Sequence, residues 1–450
     1  MPHSTLPESG SATGGASRQR ASIFRALRHR NFRLFFFGQM ISLVGSWMQV
    51  IAQQWLVYRL TGSAAPLGTI SLLGALPLIP MSLWGGSLAD RLPKRTLILI
   101  AQTVMMIQAF GLAVLAYTGA VRVWHVMAMA VVLAAAQAID LPARQAFIVE
   151  MVEGKEDLTN AIGLNSAIFN GARVVGPALA GMAVAATGEA GAFFVNGVSF
   201  VAVIAGLLMM RLPPALPAGE DSRPRTPLGS HLAEAARYVR GQQAVMVLIS
   251  LVAVSAFLSM PYSTLMPVFA QKVLSASAAP LLASVCTWAQ NTIGLTCQDS
   301  GALTYGLLMA ATGIGAVAGA LIVASMSSSA RRGRWLTAGN LAFPILVILI
   351  AFSRSFSLTA ALLVGVGFAF VAQNAVANTL LQISTPDKLR GRVMSFYTLT
   401  FQIAMRLGGM QAGLLGDAFG APLAVGAGAA LCLVYGLYVA LRFPAVRRLA

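Results

Sequence analysis

Charge is what this sequence has least of. Only 10% of its 450 residues are Asp, Glu, Lys or Arg, while 57% are hydrophobic, against roughly 25% charged in ordinary soluble domains. So little polar surface cannot cover a water-soluble body of this length, which excludes a string of soluble domains and points to one bundle of membrane helices. Acids are the scarcer sign: 14 Asp and Glu stand against 31 Lys and Arg, a net charge of +17. Cysteine is nearly absent, with three residues, and histidine counts four. No His or further Cys joins Cys286 and Cys297 at ligand-like spacing, so a metal site is unsupported. Also missing are His-Glu-x-x-His, Gly-x-Ser-x-Gly and intramembrane Gly-x-Gly-Asp, which removes the usual membrane-enzyme chemistries, and any Gly-x-x-x-x-Gly-Lys-Ser/Thr phosphate loop. The chain is therefore read as no enzyme, without cofactor or ATPase subunit. Work done by it draws on an ion gradient, with protons the expected source, or on the substrate's own gradient.

What is present is a series of apolar runs separated by charged or Pro/Gly turns. They predict spans at 31–58, 66–89, 96–117, 123–142, 158–186, 190–210, 243–270, 301–325, 335–353, 357–383, 391–416 and 421–441. Lys and Arg crowd one alternating set of connections, among them Arg25, Arg28, Arg30, Arg331, Arg332 and Arg334. Only Arg59, Arg122, Lys272 and Arg354 fall in the other set. That asymmetry is topological, so it puts both termini in the cytoplasm and accounts for the net charge without nucleic acid. Residues 1–30 read as a polar, disordered cytoplasmic tail with no signal-peptide core, and 442–450 as a second tail. Six-span halves at 31–210 and 243–441 flank a linker, 211–242, that is Pro-rich and then amphipathic. Residues 271–300 form an extended loop on the far side from the termini. The turns 153–157 and 386–392 stand in matching positions before spans five and eleven, as a repeat for alternating access requires.

After the second span comes Gly86-Ser87-Leu88-Ala89-Asp90-Arg91-Leu92-Pro93-Lys94-Arg95. It resembles the Gly-x-x-x-Asp-Arg-x-Gly-Arg-Arg loop of the major facilitator superfamily, with Pro93 in place of the second Gly. The run Gly171 to Gly181, holding Gly176, Pro177 and Gly181, resembles the helix-five motif of family exporters, with Ala180 where Gly is usual. Together with 32–62, 140–145 and 165–177, these motifs resemble the branch that contains enterobactin exporters and macrolide efflux pumps. The resemblance implies an all-α membrane protein of major facilitator fold, with twelve transmembrane helices in two pseudo-symmetric halves. It further implies a monomer in a bacterial inner membrane that exports a siderophore-like or drug-like molecule, with Gly86, Asp90, Arg91, Lys94 and Arg95 as a cytoplasmic gate. Asp140 and Arg144, one helical turn apart, join that gate as a local ion pair.

The expected substrate cavity is drawn from polar stripes that lipid would not satisfy. These are Ser42, Ser46, Gln49 and Gln53 on span one; Ser166, Asn170 and Arg173 on span five; Asn374 and Asn378 on span ten; and Gln402 and Arg406 on span eleven. Two mid-span arginines suit an anionic or acceptor-rich ligand, since an unpaired cation at that depth costs at least about 2.5 kcal/mol. Span one has no acid, leaving Asp90, Asp140 and Asp417 as span-end proton candidates. Cys286 and Cys297 share one non-cytoplasmic connection and are expected to form a disulfide. Import of a small anionic metabolite, and a receptor or scaffold without flux, stay open as alternatives.

Overall fold

In hydrocarbon each backbone N–H and C=O has to be bonded within its own segment, so apolar runs of this length become helices. The computed structural model describes residues 24–77, 93–211, 228–293, 297, 299–325, 332–444 and 447, and no strand occurs among them. A short 3-10 turn, Arg25–Arg28, leads into α1, Arg30–Thr61. Gly62 ends α1 at φ 62°, its N–H donating to the Tyr58 carbonyl at 2.7 Å, a left-handed cap that glycine adopts without penalty. There follow α2 (Ala65–Leu73), α3 (Lys94–Tyr117), α4 (Val123–Met151) and α5 (Lys155–Leu208). The 54 residues of α5 would reach about 80 Å as one rod, far beyond a bilayer. It breaks at Gly188 (φ 69°, ψ 179°) and doubles back, because Glu156 and Asp157 at its start and Arg211 just past its end all bond the segment around α1's first turn.

The second half follows a short amphipathic helix, α6 (Leu228–Gly241). Its first span, α7 (Gln243–Val273), holds two π-turns, in which Met260 N–H bonds Ser255 O and Leu274 N–H bonds Phe269 O, both at 2.9 Å. Pro261 and Pro267, which lack an N–H, account for the irregular winding between them. Then come α8 (Ser275–Ile293), α9 (Ser300–Ser325), α10 (Arg332–Phe352), α11 (Phe356–Ile383), α12 (Asp387–Phe419) and α13 (Ala421–Arg442). Among the described residues nine helices are long and apolar enough to span a membrane. Both limbs of α5 and the more polar α12 bring the crossings among the described residues to eleven, and α2 stands where the sequence predicts the second of twelve spans.

The halves repeat. One spacing separates Asn170 from Gln402, Gly176 from Gly408, Gly181 from Gly413 and the turn glycine Gly188 from Gly420, which also has positive φ (88°). Each half is cross-braced by buried amides. In the first, Gln49 Nε2 donates to Gln108 Oε1 (2.8 Å) and accepts from Asn196 Nδ2 (2.5 Å), tying α1, α3 and the second limb of α5. In the second, Gln373 Nε2 donates to Asn340 Oδ1 (3.0 Å) and Ser255 Oγ (3.2 Å), tying α11, α10 and α7.

Two expectations change. The connection 271–300 is largely helical: Ala-rich α8 buries Ala278 and Leu282, and Ala favours helix over loop. Span four does not stop at Pro142 but runs on to Met151, which keeps Asp140 and Arg144 on one continuous helix. Residues 1–23, 78–92 and 212–227 lie outside the described residues, and with them most of the N-terminal tail, the linker's Pro-rich part, and Gly86, Asp90 and Arg91.

Candidate functional site

The halves meet along two seams that only small residues permit. At α5–α9, a Cβ on Gly306 would lie 2.6 Å from Pro177 O and 2.7 Å from Gly181 Cα. At α2–α12, a Cβ on Gly68 would lie 2.6 Å from Gly409 O, and one on Gly413 2.7 Å from Ala64 O. Close backbone approach through glycine is how membrane helices associate where lipid gives no hydrophobic drive.

Toward the end away from the termini, polar bonds cross between halves. Asp417, near the end of α12, accepts from Ala64 N–H (2.6 Å), Ala65 N–H (2.9 Å) and the Ser63 hydroxyl, all at the start of α2. Trp55 Nε1 donates to Asp299 (2.7 Å), the Tyr305 hydroxyl to Gln54, and Lys272 Nζ to Gly62 O (3.4 Å). Cys286 and Cys297 are joined by a disulfide, Cα atoms 5.7 Å apart, fastening α8 just before Asp299. At the terminal end the bonds of the following residues lie within the first half or tie the second half to α6. Arg25 holds Glu156 and Asp157 at 2.6 Å, His29 meets Asp157 at 2.8 Å, Lys94 pairs with Glu150, Arg95 donates to Leu208 O (3.0 Å), and Arg392 pairs with Glu234 (2.5 Å). Ser166, Gly391 and Ser395 on the facing helices are exposed there. Among the described residues, the polar bonds that join the halves thus gather toward the far end.

Two guanidiniums lie within the spans of corresponding helices, α5 and α12. Arg173, half-buried on α5, sits 6.0 Å from the Trp47 ring and near the buried Tyr262 of α7. Arg406 on α12 reaches across to α2, where its Nη1 donates to Ser71 O (3.2 Å), and its buried Nε has no partner. Asp140, fully buried on α4, pairs with Arg144 (2.5 Å) and accepts from Gln102 Nε2 (3.0 Å), while Arg144 also bonds Gln39.

Residues 21–449 match the family described as transmembrane secretion effectors. The chain belongs to this major facilitator family. It is 26% identical over 422 residues to the multidrug efflux pump Tap of Mycobacterium tuberculosis, covering 92% of this chain and 94% of that protein. It is 26% identical over 243 residues to the staphyloferrin A transporter of Staphylococcus aureus, covering 54% of this chain and 59% of that one, so this match spans about three-fifths of that relative. Among solved structures the nucleoside transporter NupG aligns with a TM-score of 0.68 at 13% identity, over 93% of this chain and 99% of that one, which shows the shared fold. The protein is a membrane transporter and not an enzyme.

In this facilitator the expected polar stripes divide. Gln49 is an internal brace with both ends of its amide engaged, and Ser42 is buried, so the span-one stripe turns partly into its own half. Gln53 is buried, and Ser46 is half-buried. Asn170 bonds the Ser166 carbonyl (2.8 Å), and Asn378 accepts from Gln382 (2.5 Å), both on exposed helix faces. Asn374 accepts from the Tyr397 hydroxyl (3.4 Å), joining α11 to α12. Gln402 is half-buried. Gly176 packs on Trp47 and Val44 of α1, and Gly181 on α9. Lys94, Arg95, Asp140 and Arg144, assigned to a gate between halves, all bond within the first half in this conformation. Sequence reasoning did not find Gln54, Tyr305, Asp299 or Gln373, because nothing in a lone span marks which polar residue meets the other half.

Proposed function

We propose that this facilitator exports a small siderophore-like or drug-like molecule from a bacterial cytoplasm by alternating access, exchanging it for protons. The observation that carries the reading is the set of bonds that Asp417, Gln54 and Asp299 make between the halves at the far end. With basic loops retained on the cytoplasmic side, both termini face the cytoplasm, and the end opposite the far-end bonds receives cytoplasmic substrate. The relatives named as an efflux pump and a siderophore transporter, with a macrolide efflux protein of Streptococcus pyogenes at 27% identity over 159 residues, support export. Asp140 is the natural proton carrier, since protonation removes the charge that holds Arg144, and Arg144 is bonded to Gln39 of α1. Asp90 with Arg91 and Gly86 then latches the cytoplasmic side when the cleft opens outward. Comparing metabolites retained and secreted by cells with and without the gene tests this reading. A compound retained in the deletion strain and secreted after complementation supports export, whereas one lost from the cell interior on deletion marks import.

A further inference from the structure

Between α7 and α9 the chain forms a helix that is not one of the predicted spans. The 19 residues of α8 include no Asp, Glu, Lys or Arg, whereas the other short amphipathic helix, α6, carries Glu234, Arg237 and Arg240 within 14. One face of α8 is seated on the second half. Leu274, just before it, and Ala278 and Leu282 are buried there, and Val285 and Cys286 pack against the same core. Two further ties hold it. The Ser277 hydroxyl accepts from Phe356 N–H at the start of α11 (3.0 Å), and Cys286 is joined to Cys297.

The apolar arc of α8 is wider than the protein covers. Leu281 and Trp288, seven positions apart and so on one line of the helix, border the buried face yet stay 45% and 61% exposed. Beyond them the helix turns polar, with Ser284, Thr287, Gln290 and Asn291 all exposed. A bare flank two side chains wide is far too small for a protein interface, which takes about 800 Å² from each partner. Nor does α8 offer a charge that would draw a charged partner. What adjoins the flank is the lipid-facing end of the bundle. Phe352, 71% exposed, closes α10 only four residues before Phe356, the residue bonded to α8. Tyr117, Trp124 and Phe419 are likewise exposed at span ends on this side. Exposed aromatics at span ends mark the level of the membrane interface.

We infer that α8 is an interfacial helix whose Leu281 and Trp288 flank is seated in the headgroup and upper acyl region of the lipid leaflet at the far end, with its polar arc in water. Having no charge, it binds a zwitterionic leaflet through apolar area and the tryptophan ring, without a requirement for anionic lipid. So held, α8 is a stay on the second half and not a lid that swings across the far mouth. Through Cys286 and Cys297 it also fixes the chain two residues before Asp299, which meets Trp55 of the first half.

The test uses purified full-length protein in nanodiscs of phosphatidylcholine brominated either near the headgroup end of the acyl chain or near its terminal methyl. Subtracting the fluorescence of Trp288→Phe from that of wild type isolates the Trp288 signal. Bromine near the headgroup end should quench that signal several-fold more than bromine near the methyl end, and aqueous acrylamide should quench it weakly. Strong quenching by acrylamide with none by bromolipid would put the helix in water and overturn the inference. Quenching by neither would mean that protein, a second copy included, covers the flank, and strongest quenching by the deep bromine would place the helix in the hydrocarbon core; both also overturn it. A second measurement does not depend on Trp288→Phe folding. The native thiols are a disulfide and the buried Cys432, so a charged maleimide reports single introduced cysteines in the same discs. Thr287→Cys on the polar arc should label several-fold faster than Leu281→Cys on the flank, and equal rates would contradict the seating.

Discussion

Asp417 offers the sharpest handle on the conformational cycle. Its carboxylate sits on the second half and takes three hydrogen bonds from the first, two of them the backbone N–H groups that begin α2, at 2.6 and 2.9 Å. Those N–H groups have no partner within the helix and carry its positive end, so a charge there gains twice. A hydrogen bond to a charged group contributes about 1.5–3 kcal/mol net when shielded. The carboxylate is exposed, so the whole latch is set at about 1–3 kcal/mol, which corresponds to about a 5- to 150-fold change in the ratio of far-closed to far-open molecules. Asp417→Asn retains the shape and one acceptor but loses the charge. Spin labels at Tyr117→Cys on the first half and Phe352→Cys on the second report the opening, because both sites are exposed at the far end and the native Cys432 is buried. The expected result is a population at longer distance that grows on Asp417→Asn and grows further on Asp417→Ala. Identical distance distributions in all three proteins would refute the latch.

The opposite bias is expected from Asp90→Asn: normal membrane insertion, strongly reduced flux, and greater labelling of a Cys placed at Gly391, with unchanged flux and labelling counting against a gating role. Gly68→Ala places a methyl 2.6 Å from Gly409 O, so the far-end seam should part and transport fall in well-expressed protein, as read by the same spin-label pair; an unchanged distance would show that the seam yields. Gln373→Leu strips a fully buried brace from Asn340 and Ser255 and should cost about 1 kcal/mol or more in thermal unfolding, while Gln402→Leu should leave stability alone and alter substrate range. Thiol titration of denatured, unreduced protein should find one reactive cysteine, Cys432; three would remove the disulfide.

Fold was legible because hydrophobic thickness dictates it: runs of about 20 apolar residues leave few alternatives. The boundary that failed, Pro142, failed because a proline in a membrane helix frees one carbonyl and does not have to end the helix. Site residues were half legible. Gln49 and Gln373 follow the same rule that lipid rejects amides, yet that rule is satisfied equally by a cleft or by a neighbouring helix, and only packing tells them apart. Arg173 and Arg406 stood out because nothing nearby in sequence could neutralise them, and among the described residues neither forms an ion pair. Asp417 read as a span-end acid; its partners at Ser63 to Ala65 lie more than three hundred residues away, where no local pattern reaches.

Proton-driven export is decided most directly in everted membrane vesicles, where the cytoplasmic face looks outward. Given the compound that gene deletion traps in cells and an imposed gradient acid inside, wild-type vesicles should accumulate it. A protonophore should abolish that uptake, and Asp140→Asn protein should no longer respond to the gradient. Accumulation that ignores the gradient, or that occurs only in vesicles of the opposite orientation, would contradict the account.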